Sequence, residues 1–226
     1  MNVIPKAVLW DMDGTIIDTE PYWLEAEMEI AARYGVKWDV SDALKQVGQG
    51  LTLTSTNMRD AGVPLTIDEL IHEMISIVIA KVKDKEVKPW RPGAVELIRE
   101  LKANNVPMAL VTMSYRVLTE VVLEALGFDA FDVVVTGDAV KHPKPHPEPY
   151  LTAAEKLKVS IEDCVVFEDS IPGIKSGAAS GAVAIAAPNH VPIPESADYL
   201  MIEGFEDLTL AKLSALYTER IRIGRA

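Results

Sequence analysis

Two aspartates separated by a single residue open the chemical reading of this chain. Asp11 and Asp13 stand in Asp11-Met12-Asp13-Gly14-Thr15, directly after the apolar run Ala7-Val8-Leu9-Trp10. On an extended backbone, side chains two positions apart project to the same side. Both carboxylates therefore face one space, and Met12 turns away. Gly14 permits a sharp turn and a close backbone approach to a ligand. Alone, the pair would equally suit two solvated loop aspartates.

Three later segments carry complementary groups. Thr112-Met113-Ser114 follows the apolar run Met108-Ala109-Leu110-Val111 and brings hydroxyls and amides to a helix start. Such a terminus favours an anion, although simple helix capping uses the same residues. Lys144 lies in His142-Pro143-Lys144-Pro145-His146-Pro147. Flanking prolines stiffen the loop and deliver the ammonium to a fixed place; an exposed lysine on a proline-rich turn is the alternative. Glu168-Asp169-Ser170 follows Val165-Val166-Phe167, a second acidic pair after an apolar run. Paired carboxylates suit a hard cation such as Mg2+, which takes oxygen ligands.

The elements that must position these groups are legible from the same pattern. Short runs apolar on both faces, at Ala7–Trp10, Met108–Val111, Val133–Val135, Val165–Phe167 and Ala182–Ile185, read as buried parallel strands. Helical patterns at Ala94–Ala103, Arg116–Leu126 and Glu148–Leu157 alternate with them, so the fold class is α/β, a wound parallel sheet. Ligands in such sheets bind beyond the carboxyl ends of the strands, where all these acidic and hydroxyl residues fall. Nearly a hundred residues separate the first strand from the second, far more than one crossover helix needs. Tyr22–Tyr34, Val40–Val47, Thr52–Ala61 and Ile67–Val82 read as helices within that gap. The expected organisation is a core of residues 1–17 and 88–226 with a small all-helical domain, 18–87, inserted between them. The basic tail from Glu219 to Ala226 is expected to fray.

Composition narrows the function classes. The chain has 226 residues, 49% hydrophobic and 25% charged, with a net charge of -12 and a pI near 4.8. That charge disfavours nucleic acid as a partner. It also means that a phosphate-handling site needs concentrated local positive charge. No stretch approaches the ~20 apolar residues that span a bilayer, and the amino terminus has no signal-peptide pattern, so a cytoplasmic protein without membrane association is expected. The single cysteine, Cys164, excludes an intrachain disulfide and reads as a small buried strand residue.

Asp11-Met12-Asp13-Gly14-Thr15, Thr112, Lys144 and Glu168-Asp169, in this order from the first strand to about Gly181, resemble the haloacid dehalogenase-like (HAD) hydrolase superfamily. Ser170-Ile171-Pro172-Gly173-Ile174 with Gly177-Ala178-Ala179-Ser180-Gly181 is similar to its beta-phosphoglucomutase and phosphatase branch. The resemblance implies a Rossmann-like core with a helical cap. It implies Asp11 as nucleophile, forming an aspartyl phosphate, and Asp13 as general acid and base. It implies Mg2+ held by Asp11, the Asp13 carbonyl and Asp169, with Glu168 acting through water. Thr112 with the amides of Met113 and Ser114 would hold the phosphoryl oxygens, and Lys144 would neutralise charge. The cap would close over the site, with Asp18, Thr19 and Glu20 as hinge candidates and Gly48-Gln49-Gly50 as a loop facing substrate or a plain helix-to-helix turn.

The expected activity is hydrolysis of small phosphomonoesters, such as sugar phosphates, by a monomer or weak homo-oligomer acting on a small phosphorylated metabolite. A sugar phosphomutase is the rival. Mutases of that type carry a cap histidine and a cap-loop arginine where this chain has Trp23 and Gln49. A phosphonate-cleaving relative would need a Schiff-base lysine, and neither Lys37 nor Lys45 stands in a convincing context. A receiver-type signalling module carries its acceptor aspartate on a middle strand in sequence order, and here Asp-x-Asp ends the first. A dead enzyme kept as a scaffold would not need every motif residue.

Overall fold

The computed structural model describes residues 3–84 and 88–223. Six parallel strands form one sheet: β1 (Ala7–Trp10), β2 (Met108–Val111), β3 (Val133–Val135), β4 (Cys164–Glu168), β5 (Val183–Ala186) and β6 (Leu200–Met201), in the spatial order β3-β2-β1-β4-β5-β6. From β1 the chain moves outward to β2 and β3, then crosses back to β4 on the other side of β1, so the strand order reverses beside β1. That is the switch point where a crevice opens in a wound α/β sheet.

Alternation along each strand builds two cores. Ala7, Leu9, Ala109, Val111, Cys164 and Val166 face helix α7 (Glu148–Leu157), packed with Tyr150, Ala153 and Ala154. Val8, Trp10, Met108, Leu110, Val165 and Phe167 point to the opposite face, where α5 (Ala94–Ala103), α6 (Arg116–Leu126) and α9 (Leu210–Ile223) contribute Leu97, Leu101, Leu118 and Leu213. Helix α8 (Ile171–Ser180) lies against β4 and β5. On the second face Trp10, Phe167 and Phe205 form an aromatic cluster with ring centroids 4.7–5.4 Å apart. Each such pair adds about 0.5–1.5 kcal/mol beyond buried area. Trp10 also sits opposite Phe167 in the β1–β4 register. The residues that follow them, Asp11 and Glu168, are thereby fixed at neighbouring strand ends.

Between β1 and α5 the described chain is helical: α1 (Glu20–Arg33), α2 (Val40–Leu44), α3 (Leu51–Asp60) and α4 (Ile67–Asp84). Helices α2 and α4 pack on α1, and α3 packs on α4. Asp39 caps α2 with a capping box, accepting from Ser41 and Asp42 amides. The two segments joining this bundle to the sheet run side by side: Asp18 N donates to Pro89 O at 2.8 Å and Arg91 N to Ile16 O at 2.8 Å.

The strands and helices read from the sequence recur within one or two residues, except that the helix expected over Val40–Val47 ends at Leu44. Val133 and Val134 are only half-buried, because β3 is an edge strand with no neighbour on its outer side. Strand β6 was not foreseen; two residues carry no periodicity to read. The expected frayed tail is corrected in part. Helix α9 continues through Glu219 to Ile223, since Leu213 and Tyr217 are buried against the sheet; residues 224–226 lie outside the described residues. The expected boundary at residue 87 also lies outside them. Cys164 opens β4, is fully buried, and burial pushes its thiol up to about 12, so it is an inert packing residue. No helix among the described residues is long and apolar enough to cross a membrane.

Candidate active site

Asp11, Glu168 and Asp169 converge at the carboxyl ends of β1 and β4, each less than a tenth exposed, with carboxylate oxygens within 4.8 Å of one another. Gly14 makes this possible. Its φ is +80°, and a β-carbon there would stand 1.9 Å from Asp169 Oδ2. The turn after β1 therefore tolerates no side chain. Thr15 Oγ1 donates to Asp169 Oδ1 at a long 3.4 Å. Arg91, in the second connecting segment, donates to the carbonyl of Gly14 at 2.5 Å and to that of Pro188 at 3.3 Å. It ties the turn to the chain beyond β5, and its charge lies near Asp169.

Lys144 reaches this cluster from the loop before α7. Its ammonium donates to Asp11 Oδ1 at 2.6 Å, Glu168 Oε1 at 2.6 Å and Val111 O at 2.8 Å, and it is 5% exposed. Three acceptors satisfy its three donors. Burial alone would lower its pKa, but the Asp11 and Glu168 carboxylates outweigh that and hold it raised. Glu168 is itself saturated. Oε1 also accepts from Tyr150 OH at 2.7 Å, and Oε2 accepts from the Asp169 amide and from Ser170 Oγ, both at 3.2 Å. Tyr150 adds a second contact, with the Lys144 ammonium 5.0 Å from its ring centroid.

Asp13 lies on the other flank of Asp11. Its Oδ2 accepts from Ser114 Oγ at 2.7 Å and Thr112 Oγ1 at 3.2 Å. Its Oδ1 accepts from Thr19 Oγ1 at 2.5 Å and more distantly from Trp23 Nε1 at 3.4 Å. The Ser114 amide donates to Thr112 Oγ1 at 3.0 Å, so the loop after β2 curls over Asp13. Met113 lines the same cavity, and its sulfur receives the Lys144 amide at 3.4 Å.

Three buried anions facing one lysine leave a charge deficit. Burial, then the neighbouring Glu168 carboxylate, pushes Asp11 up to about 7 against the pull of Lys144. Burial with Asp11 and Glu168 raises Asp169 well above the ordinary carboxyl range. This frustration is what a divalent cation relieves, and the donor set is all oxygen, as Mg2+ requires. The residues present therefore fit a hard metal ion held by Asp11 and Asp169.

The bundle closes the cavity from above. Glu20, Trp23 and Glu27 from α1, Gln46 and Gly48 after α2, and Thr54 from α3 line it opposite Asp11 and Lys144. Gly48 touches the core directly: with φ +74°, a β-carbon there would stand 2.7 Å from Ser170 Cβ. Of the hinge candidates, Thr19 holds Asp13, and Asp18 accepts from Asn189 Nδ2 at 3.1 Å and lies 2.8 Å from His190 Nε2. Glu20 faces the cavity. Burial, then Asp13, Asp18, Asp11 and Glu27, pushes it up to about 8. Burial likewise pushes Glu27 up to about 7, against a hydrogen bond from Trp38 Nε1 at 2.9 Å.

All eight residues read from the sequence thus gather around one cavity or its floor: Asp11, Asp13, Thr112, Met113, Ser114, Lys144, Glu168 and Asp169. Tyr150, Arg91 and Glu27 were missed. Each sits in an ordinary helical or loop context, and only its tertiary partner reveals a role. Residues 5–181 match the haloacid dehalogenase-like hydrolase family. This chain belongs to that family. The HAD chain is 35% identical over 207 residues to a probable pseudouridine-5'-phosphatase of Saccharomyces cerevisiae, covering 83% of this chain and 84% of the relative. It is 33% identical over 184 residues to the fructose-1-phosphate phosphatase YqaB of Escherichia coli, covering 79% and 94%. A bifunctional riboflavin kinase/FMN phosphatase of Arabidopsis thaliana matches at 35% over 192 residues, 84% of this chain, and there the chain spans only 50% of the relative's length. The structure superposes on CbbY of Rhodobacter sphaeroides in complex with phosphate with a TM-score of 0.85 at 28% identity, covering 93% of this chain and 99% of that one. The HAD chain is an enzyme of the phosphatase type.

Proposed function

We propose that this HAD enzyme is a Mg2+-dependent phosphatase that hydrolyses small phosphomonoesters through a phosphorylated Asp11. The observation that carries the reading is the convergence of Asp11, Asp169 and Lys144 within one buried cluster. Asp11 Oδ1 is bound to Lys144, which leaves Oδ2 as the oxygen to attack phosphorus. Attack forms the Asp11–phosphorus bond as the ester oxygen leaves. Asp13, on the cavity side of Asp11, gives its proton to the leaving alkoxide and then takes one from the water that cleaves the aspartyl phosphate. Thr112 and Ser114, whose hydroxyls bond Asp13, orient that carboxyl and border the phosphoryl site. Lys144 offsets the charge shared by Asp11 and the phosphoryl oxygens, and Glu168 with Tyr150 fixes its ammonium in place. Saturation of Glu168 by four donors favours this anchoring role over direct metal ligation. Bound at Asp11, the Asp13 carbonyl and Asp169, Mg2+ would supply charge neutralisation that lets a phosphate dianion approach a carboxylate.

The helical bundle from Glu20 to Asp84 acts as the cap that shields the reaction from bulk water, and the linkers around Asp18 and Pro89 carry its movement. Hydrolysis is favoured over phosphomutase action. Where the resemblance places the mutase histidine and arginine, Trp23 bonds Asp13 and Gln49 lines the cavity.

The test is phosphate release from p-nitrophenyl phosphate and a panel of sugar phosphates. Release with Mg2+, none with chelator, and loss of at least roughly a thousandfold in Asp11→Asn are expected, the scale on which removing a covalent nucleophile acts. Wild-type turnover by a pure Asp11→Asn protein would overturn the nucleophile assignment.

A further inference from the structure

Glu20 is a buried carboxylate with nothing to hold. It is 7% exposed and lines the cavity, and among the described residues no side chain or backbone group donates it a hydrogen bond or pairs with its charge. A carboxyl that lines a substrate cavity and has no protein donor is open to one that arrives with the ligand. The surrounding wall has the same character. Glu27, two helical turns further along the same face of α1, lines the cavity too, as do Gln46, Gln49 and Thr54. All are hydroxyl-binding groups. The described residues lining the cavity include a single cation, Lys144, and Asp11, Glu168 and Val111 already take up its ammonium.

We infer that Glu20, supported by Glu27, is the specificity-determining wall of the cavity: it binds a hydroxyl of the leaving alcohol and excludes substrates that carry a second anionic group. The inference rests on the phosphatase reading for the phosphate end of the substrate. A hydroxyl both donates and accepts, so it satisfies Glu20 in either protonation state. A carboxylate or second phosphate finds no counter-charge in this wall. It would be desolvated beside two acidic side chains, which costs several kcal/mol. The preferred class is thus a phosphomonoester of a neutral polyhydroxy alcohol, and bisphosphates and phosphorylated acids are rejected.

Calorimetric binding to Asp11→Asn with Mg2+ tests this without turnover, using three six-carbon probes: sorbitol 6-phosphate, n-hexyl phosphate and 6-phosphogluconate. At pH ~9, above the value of about 8 to which Glu20 is pushed, a hydrogen bond to the charged carboxylate corresponds to roughly a ten- to hundredfold preference for sorbitol 6-phosphate over n-hexyl phosphate. Adding Glu20→Ala should erase at least tenfold of that ratio, and Glu20→Gln, which keeps a hydrogen-bonding side chain, should retain most of it. Binding of 6-phosphogluconate should be at least about tenfold weaker than that of sorbitol 6-phosphate. An unchanged ratio in Glu20→Ala, equal binding of 6-phosphogluconate, or binding of none of the three would overturn the inference. Failure of wild-type enzyme to release phosphate from any ester would sink the phosphatase reading alone, since the binding ratios are measured without chemistry.

Discussion

Lys144 carries the charge balance of the site. Its ammonium lies 2.6 Å from both Asp11 and Glu168, which are nearly or wholly buried. Removing one partner of a buried ion pair leaves an uncompensated charge and costs about 3–5 kcal/mol. Lys144→Met should therefore lower both stability and turnover, whereas a surface lysine such as Lys45, paired with Asp42 at 3.0 Å and largely exposed, should change neither by much. Urea denaturation in the absence of metal, with phosphate release in its presence, checks both arms. A Lys144→Met protein as stable and as active as wild type would refute the role. At this scale the proline-flanked lysine was legible as a delivered charge. Its second partner, Tyr150, was not, because nothing along α7 distinguishes a tyrosine that meets Glu168 from one that merely packs.

At the scale of elements, the cavity exists because the loop after α2 sits on the loop after β4. Gly48 makes that approach with φ +74° and no room for a β-carbon against Ser170. Gly48→Ala adds a methyl group at 2.7 Å from Ser170 Cβ and strains the backbone, a cost of about 1 kcal/mol for the left-handed conformation. The variant should hold the bundle off the core. We expect kcat/KM to fall roughly tenfold or more while far-ultraviolet circular dichroism is unchanged, since closure rather than folding is impaired. Steady-state kinetics matching wild type would show that this contact does not gate the reaction. From the sequence the Gly48-Gln49-Gly50 stretch could be either a turn or a substrate-facing loop. Only the position of Ser170, more than a hundred residues later, distinguishes them.

The whole molecule buries carboxyls that prefer their protons. Asp11 is pushed up to about 7, Glu20 to about 8 and Glu27 to about 7, from ordinary values near 4. Each keeps its proton in the folded chain at pH values where the unfolded chain has lost it. Folding therefore takes up protons, and stability present in acid is lost as pH rises from the ordinary carboxyl range through about 8. With chelator present, Tm should be higher at pH 5 than at pH 8.5, by roughly 2–4 °C for each kcal/mol lost. Mg2+ binds the deprotonated site, so at pH 8.5 it should raise Tm, by about 2.7 kcal/mol of stabilisation at a hundred times its Kd. Scanning calorimetry at both pH values decides it: a Tm that climbs with pH in chelator, or ignores Mg2+, contradicts the charge deficit of the site.

The strands, the helical insert and the acidic strand ends were written locally. Two-residue and 3.6-residue periodicities, Gly14 at its turn and the prolines around Lys144 need no distant partner to be recognised. The order in which strands lie side by side was not local, and it brings Asp11 to Asp169 across 158 residues of chain through the register of Trp10 with Phe167. Nor could local pattern tell which acidic residues of α1 look inward. Glu20 and Glu27 are seven apart, two helical turns, and share a face; Glu25 and Glu29 on the same helix lie at the surface with Lys81 and Arg33. Helix periodicity assigns faces, but only the packing of α2 and α4 on α1 and the closure of the bundle onto the sheet decide which face becomes a wall of the cavity.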